Sequence, residues 1–252
     1  MEAPSQNSTI VSLRAVAKSY TGGVKALDAF DLDVHRGEFV SILGPSGCGK
    51  STALRIIAGL SAPSSGHVEW PSGEARLGFV FQDPTLMPWA SVASNVALPL
   101  RLAGREPPKA VAQILQRVGL AEFAQSYPRE LSGGMKMRAS IARALVTEPD
   151  LLLMDEPFAA LDEITRFKLN NDLLALWQEL KGTIIFVTHS VFESVFLSQR
   201  IVVMTPRPGR VFADLQIPAP YPRDESFRTS PEYAGYCREV GDALRAAMED
   251  GA

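Results

Sequence analysis

A chain of 252 residues, 46% hydrophobic and 21% charged, is long enough for one large domain or two small ones around a substantial core. A formal net charge of −3 argues against general nucleic-acid binding, and Cys48 and Cys237 are too few for a disulfide framework, which favours a reducing compartment. No apolar run approaches the ~18–20 residues of a membrane span, and Met1 to Thr9 is polar, so the sequence reads as a soluble, cytoplasmic chain that can dock on a membrane protein.

In chain order, Ile10 to Ala17 and Ala29 to Val34 alternate and read as strands, the second with a wet face. Phe39 to Leu43 is a short continuous apolar run, as in a buried parallel strand, and ends at Gly44. Ser51 to Leu60 reads as a helix, Ser61 to Gly66 as a turn-rich linker, and His67 to Trp70 and Leu77 to Phe81 as further strands. From Asp83 to Asp150 the chain is mostly helix-forming, with apolar spacing over Ala110 to Val118 and Ala139 to Val146. Pro84, Pro88, Pro99, Pro107, Pro108 and Pro128 punctuate it, so it reads as a helical insertion between two halves of one sheet. Leu151 to Met154, Thr183 to Thr188 and Ile201 to Met204 resume the buried-strand pattern. Between the first two, a helix over Glu163 to Leu180 is expected to place Ile164, Phe167, Leu174 and Trp177 on one side. A proline-rich tail from Pro218 ends in a helix over Tyr233 to Met248.

Gly44-Pro45-Ser46-Gly47-Cys48-Gly49-Lys50-Ser51 matches the phosphate-loop pattern at every fixed position, between an apolar strand and a helix. Its glycines let backbone N–H groups point inward at phosphate, and the following helix aims its positive end there. Lys50 would reach the β and γ phosphates and the Ser51 hydroxyl would ligate Mg²⁺. Asp155 ends an apolar strand, where a carboxylate would hold Mg²⁺, and Glu156 beside it would act as general base on the attacking water. His189 and Gln82 follow strands and could contact the γ-phosphate, its metal or its water; Tyr20 could stack on adenine. Leu131-Ser132-Gly133-Gly134 precedes a helix expected to begin near Met135 and offers a second phosphate-type N-terminus. One ATP does not need two such sites from one molecule. A two-fold pair of chains, each supplying its Ser-Gly-Gly turn to the other's phosphate loop, is the economical arrangement.

These motifs, in this order, resemble the nucleotide-binding subunit of an ABC (ATP-binding cassette) transporter from about Leu13 to Val211. They are Tyr20 (aromatic loop), Gly44 to Thr52 (Walker A), Gln82 (Q-loop), Leu131 to Met135 (signature), Leu151 to Glu156 (Walker B), Ala160-Leu161-Asp162 (D-loop) and His189 (switch histidine). The resemblance implies an α/β fold with a P-loop NTPase (RecA-like) core, an antiparallel β subdomain and an inserted helical subdomain. It would be a single ABC ATPase domain: core 1–82 and 151–215, helical subdomain 83–150, C-terminal extension 216–252. It implies ATP and Mg²⁺ as ligands, with Gln82 and Ser51 near the metal. Its partners would be a second copy, a membrane permease received by the helical subdomain and the Q-loop, and indirectly a solute-binding protein. The location would be peripheral, on the cytoplasmic face of the membrane.

Phe79 to Trp89, Met135 and Met204 to Arg210 are similar to the nitrate/sulfonate/taurine import group. Two positions depart from the wider family, Met137 where Gln is usual and Ser190 where Asp is common; neither removes a catalytic group. The rival, a soluble ABC ATPase of repair or translation, would carry a long coiled coil or a second cassette, and the sequence has neither. Cys48 reads as a small residue fitting the loop, with a reactive thiol as the alternative.

Overall fold

The computed structural model describes residues 8–105 and 108–250, so most of the polar opening stretch (Met1 to Asn7) and Pro107 lie outside them. In chain order the elements are β1 (Thr9–Ser19), β2 (Lys25–His35), β3 (Phe39–Leu43), α1 (Lys50–Ile57), β4 (Ser65–Glu69), β5 (Leu77–Val80), α2 (Val92–Leu102), α3 (Pro108–Arg117) and α4 (Gly133–Leu145). There follow β6 (Leu151–Asp155), α5 (Glu163–Leu180), β7 (Thr183–Thr188), α6 (Val191–Leu197), β8 (Arg200–Met204), β9 (Val211–Gln216), α7 (Glu225–Arg228) and α8 (Pro231–Asp250). They fall into two compact units, Met1–Ala75 with Lys181–Ala252, and Arg76–Leu180.

In the first unit, β2, β1 and β4 form an antiparallel sheet. The strands outrun the alternation read from sequence because Ala15 and Ala29 both adopt φ 46°, at irregularities of the β1–β2 ladder that reset which face each side chain takes. β4 begins inside the stretch expected as linker; it is a largely exposed strand at the sheet's edge, so it carries little apolar signal. The other sheet of this unit runs β7-β3-β8-β9, the first three parallel and β9 antiparallel. β3, β7 and β8 are buried along their whole lengths, which is why each is mostly apolar, with Ser41, Thr183, Thr188 and Arg200 the buried polar exceptions. Arg200 on β8 pins the two sheets together. It donates to the Asp33 carbonyl of β2 and to Glu38 and Asp214 at 2.7–3.0 Å.

The second unit holds the parallel pair β5–β6 and the helices α2 to α5. Val92, Val96 and Leu100 recur every fourth residue of α2 and enter an apolar cluster with Val111 and Leu115 of α3 and Ala142 of α4. That stripe overrides Pro99, which lies inside α2 rather than ending a segment. The bounds of α5 match the expectation, but its sidedness does not. Ile164 is 82% exposed and Phe167 is also exposed, while Leu169, Leu173, Leu174, Leu176 and Trp177 are buried. The buried face starts only at Leu169, two turns into the helix.

Candidate nucleotide site

The phosphate loop leaves β3 after Leu43, and His189 leaves β7 after Thr188; Leu43 and Thr188 are directly paired in the sheet. Both therefore emerge at carboxyl ends of adjacent parallel strands, where α/β sheets bind ligands. Gly49, at φ 112°, caps α1, and a Cβ placed on it would lie 2.6 Å from the Ala26 carbonyl oxygen. Only glycine satisfies both conditions. The Lys50 ammonium, 3% exposed, donates to the Gly44 and Pro45 carbonyls at 2.8 and 2.9 Å, which fixes it within the loop's curl. Ser46 and Gly47 are exposed, Ser51 and Thr52 half-buried, and Cys48 is buried with its N–H bonded to Pro45. Burial of Cys48 agrees with the small-residue reading. Tyr20 is brought to this loop: its hydroxyl bonds the Thr52 hydroxyl at 3.3 Å and its ring remains exposed.

The turn between β8 and β9 is a part of the site that the motifs did not single out. The Arg207 Nε donates to the Gly47 carbonyl at 3.1 Å, while the Gly209 N–H donates to Ala26. A Cβ on Gly209 would lie 2.2 Å from the Cys48 carbonyl oxygen. In the sequence this turn registered only within Met204 to Arg210, the stretch similar to the nitrate/sulfonate/taurine import group, and not as part of a nucleotide site. Gly209→Ala is expected to destabilise the protein by about 2 kcal/mol through overpacking and to raise the KM for ATP. Urea unfolding and steady-state kinetics check both effects; parental values would show that the turn does not support the loop.

In the second unit, Gln82 and Asp155 leave the paired strands β5 and β6 at their carboxyl ends. Asp155 is buried, and Glu156 follows at φ 45°, a left-handed conformation that costs a non-glycine residue about 1–2 kcal/mol. Such strain persists only where the surrounding structure fixes it, and it clusters at functional sites. Ser132 caps α4, its hydroxyl accepting from the Met135 N–H at 3.3 Å. A Cβ on Gly134 would lie 2.8 Å from Thr165 Cγ2, and one on Gly133 would lie 3.2 Å from Leu161 Cδ2. The two glycines thus let the helix N-terminus sit against the segment containing Ala160-Leu161-Asp162. Met137 is buried, so this departure is a core contact.

The loop after Gln82 is tied to two helices. Arg143 of α4 donates to the Pro84 and Thr85 carbonyls at 2.8 and 2.9 Å. The wholly buried Asn95 of α2 accepts from the Met87 N–H and donates to the carbonyls of Met87, Ala90 and Ser91. Trp89, at the tip of this loop, is 75% exposed.

Ser190, the second departure, caps α6, accepting from the Glu193 N–H, and its own N–H donates to Thr188 Oγ1. Thr188 Oγ1 in turn donates to the buried Glu193 at 2.6 Å. His189, exposed, lies between Thr188 and Ser190 along the chain.

A strand, a glycine loop with an inward lysine and a helix, together with a strand ending in Asp-Glu, define a nucleoside-triphosphatase. A protein-family model described as ABC transporter matches residues 27–159. An ABC transporter ATP-binding protein of Methanocaldococcus jannaschii is 47% identical over 230 residues, covering 88% of this chain and 85% of the relative. An aliphatic sulfonates import ATP-binding protein of Bacillus cereus is 41% identical, covering 88% and 92%. Among solved structures, a dimeric ATP-binding cassette in a post-hydrolysis state with ADP and Pi superposes with TM-score 0.72 at 34% identity, covering 83% of this chain and 99% of that one. The protein cbiO1 of Clostridium perfringens, described as part of the ABC transporter complex cbiONQ, gives TM-score 0.74 at 30% identity, covering 83% and 89%. The chain belongs to the ABC transporter family and is an ABC ATPase with the mixed α/β fold of those cassettes. No helix among the described residues is long and apolar enough to cross a membrane.

Proposed function

We propose that this chain energises a bacterial importer of nitrate-, sulfonate- or taurine-like small solutes by hydrolysing ATP in a sandwich of two copies. The observation that carries the reading is that each unit presents a glycine-built helix N-terminus, α1 behind Lys50 and α4 behind Ser132. Lys50 and the loop N–H groups hold the β and γ phosphates, and Tyr20 stacks on the base. The oxygen donors Ser51, Gln82 and Asp155 suit Mg²⁺, a hard cation. When bound, Mg²⁺ neutralises charge on the phosphates. Glu156 accepts a proton from water as the water oxygen bonds to γ-phosphorus and the bond to the β–γ bridging oxygen breaks, releasing ADP. His189 orients the γ-phosphate and that water. Ser132, Gly133 and Gly134 serve the ATP held by the other copy. The exposed Trp89 and its loop receive the permease on the cytoplasmic face, with a solute-binding protein engaged indirectly. The similarity to aliphatic sulfonates import proteins supports the solute class.

Ser132→Arg is expected to leave ATP affinity of the monomer unchanged and to lower turnover about 100-fold, the usual loss when a charge-stabilising donor is removed. Mixing Ser132→Arg with Glu156→Gln subunits should recover part of the rate, because each mixed pair rebuilds one complete site. No recovery on mixing would overturn the two-copy reading.

A further inference from the structure

The segment after β9 is gathered onto one short helix. α6 uses its own carbonyls up to Ser194, whose oxygen accepts from the Ser198 N–H, and so leaves those of Val195, Phe196 and Leu197 without helical partners. Arg223 Nη1 lies 2.8, 3.2 and 2.8 Å from the carbonyl oxygens of Val195, Phe196 and Ser198. The Tyr221 hydroxyl donates to the Leu197 carbonyl at 2.8 Å and the Tyr233 hydroxyl to that of Phe192 at 2.9 Å. Every orphan carbonyl of the helix is thereby met by a side chain from outside it. Arg223 also donates through Nη2 to the Ile217 and Ala219 carbonyls, which ties the same guanidinium to the base of the extension.

This cap is costly in form. Arg223 is 4% exposed, its guanidinium carbon lies 4.3 and 5.4 Å from the ring centroids of Tyr221 and Phe227, and its Nε has no hydrogen-bond partner among the described residues. A helix end needs only a glycine to finish. A buried cation on carbonyls adds something that a glycine does not, a fixed position and rotation for the helix, favoured by its negative dipole end. Burial pushes the Tyr221 phenol up to about 12, so it remains a donor throughout the physiological range. α8 anchors the arrangement through Tyr233, Val240 and Ala247, seven residues apart on one buried face.

The opposite end of α6 carries the bonds among Thr188, Ser190 and Glu193, the residues that flank the exposed His189 along the chain and cap the helix after it. We propose that Arg223 and Tyr221 are positioning residues for ATP turnover, holding from its far end the helix that sets His189. The proposal rests on the role assigned above to His189.

In the full-length chain, Arg223→Gln and Tyr221→Phe are compared in the parental and His189→Ala backgrounds, by kcat, KM and calorimetric ATP affinity. Misplacement of a reacting group by a distant change typically costs about 10–100-fold. Such a fall in kcat is expected for Arg223→Gln, and a smaller one for Tyr221→Phe, with KM and affinity within about twofold and no further loss in the His189→Ala background. Folding of each variant is followed by thermal melts. Tyr221→Phe, which removes one oxygen, decides the matter if Arg223→Gln does not fold. A parental kcat in folded variants, or an equal loss with and without His189, would overturn the proposal alone. A parental kcat for His189→Ala by itself would overturn the role of His189, and the proposal with it.

Discussion

Glu156→Gln should bind ATP as tightly as the parent and hydrolyse it about 100–10,000-fold more slowly, the range by which a positioned general base accelerates proton transfer. The amide matches the carboxylate in shape but cannot accept the proton of the attacking water. Size-exclusion chromatography should find a stable ATP-bound pair, because in the proposed two-copy cycle hydrolysis would be the step that separates the copies. The backbone supplies an internal control. Glu156 sits at φ 45°, and glutamine bears the same left-handed strain, so the melting temperature should not move. A variant with parental turnover sinks the base assignment; one with a markedly lower melting temperature shows that the carboxylate holds the fold instead.

Lys50→Ala should weaken ATP binding about 10–100-fold, the equivalent of one charge-assisted hydrogen bond at about 1.5–3 kcal/mol. Turnover at subsaturating ATP should fall at least as far. The ammonium is bonded to the Gly44 and Pro45 carbonyls, so the substitution also removes the cross-tie that keeps the loop curled. The nucleotide-free protein should therefore lose some stability too. Calorimetry separates the two effects, because loop loosening alone shows as a changed enthalpy and heat capacity with affinity largely kept. Unchanged affinity would contradict the phosphate-loop reading.

The parts of the fold legible in the sequence are those where backbone geometry dictates residue type. Gly49 must be glycine for both its φ and its contact with Ala26, and β3, β7 and β8 are mostly apolar because both faces are covered. Where burial is partial the signal fades. β9 alternates between half-buried and exposed, and α6 is seven residues long, too short for a helical period to declare itself; neither was anticipated. Ile164 and Phe167 misled because helical spacing says which residues share a face, not which part of the helix is covered. Arg223 was illegible for a different reason. Its partners are carbonyl oxygens, which every residue carries, so no pairing of side-chain types points to it.

The ties on the loop after Gln82 bear on how a partner would be met. Asn95 spends four hydrogen bonds on Met87, Ala90 and Ser91, and Arg143 grips Pro84 and Thr85 from the helix that Ser132 begins. A flexible docking loop loses conformational freedom when it is engaged, at about 0.5–1.5 kcal/mol for each immobilised side chain. Here much of that ordering is complete before any partner arrives, and Trp89 is held out as a fixed tooth. Arg143 stands in the last turn of α4, so a movement of that helix begun at its Ser132 end would reach the loop through a single guanidinium.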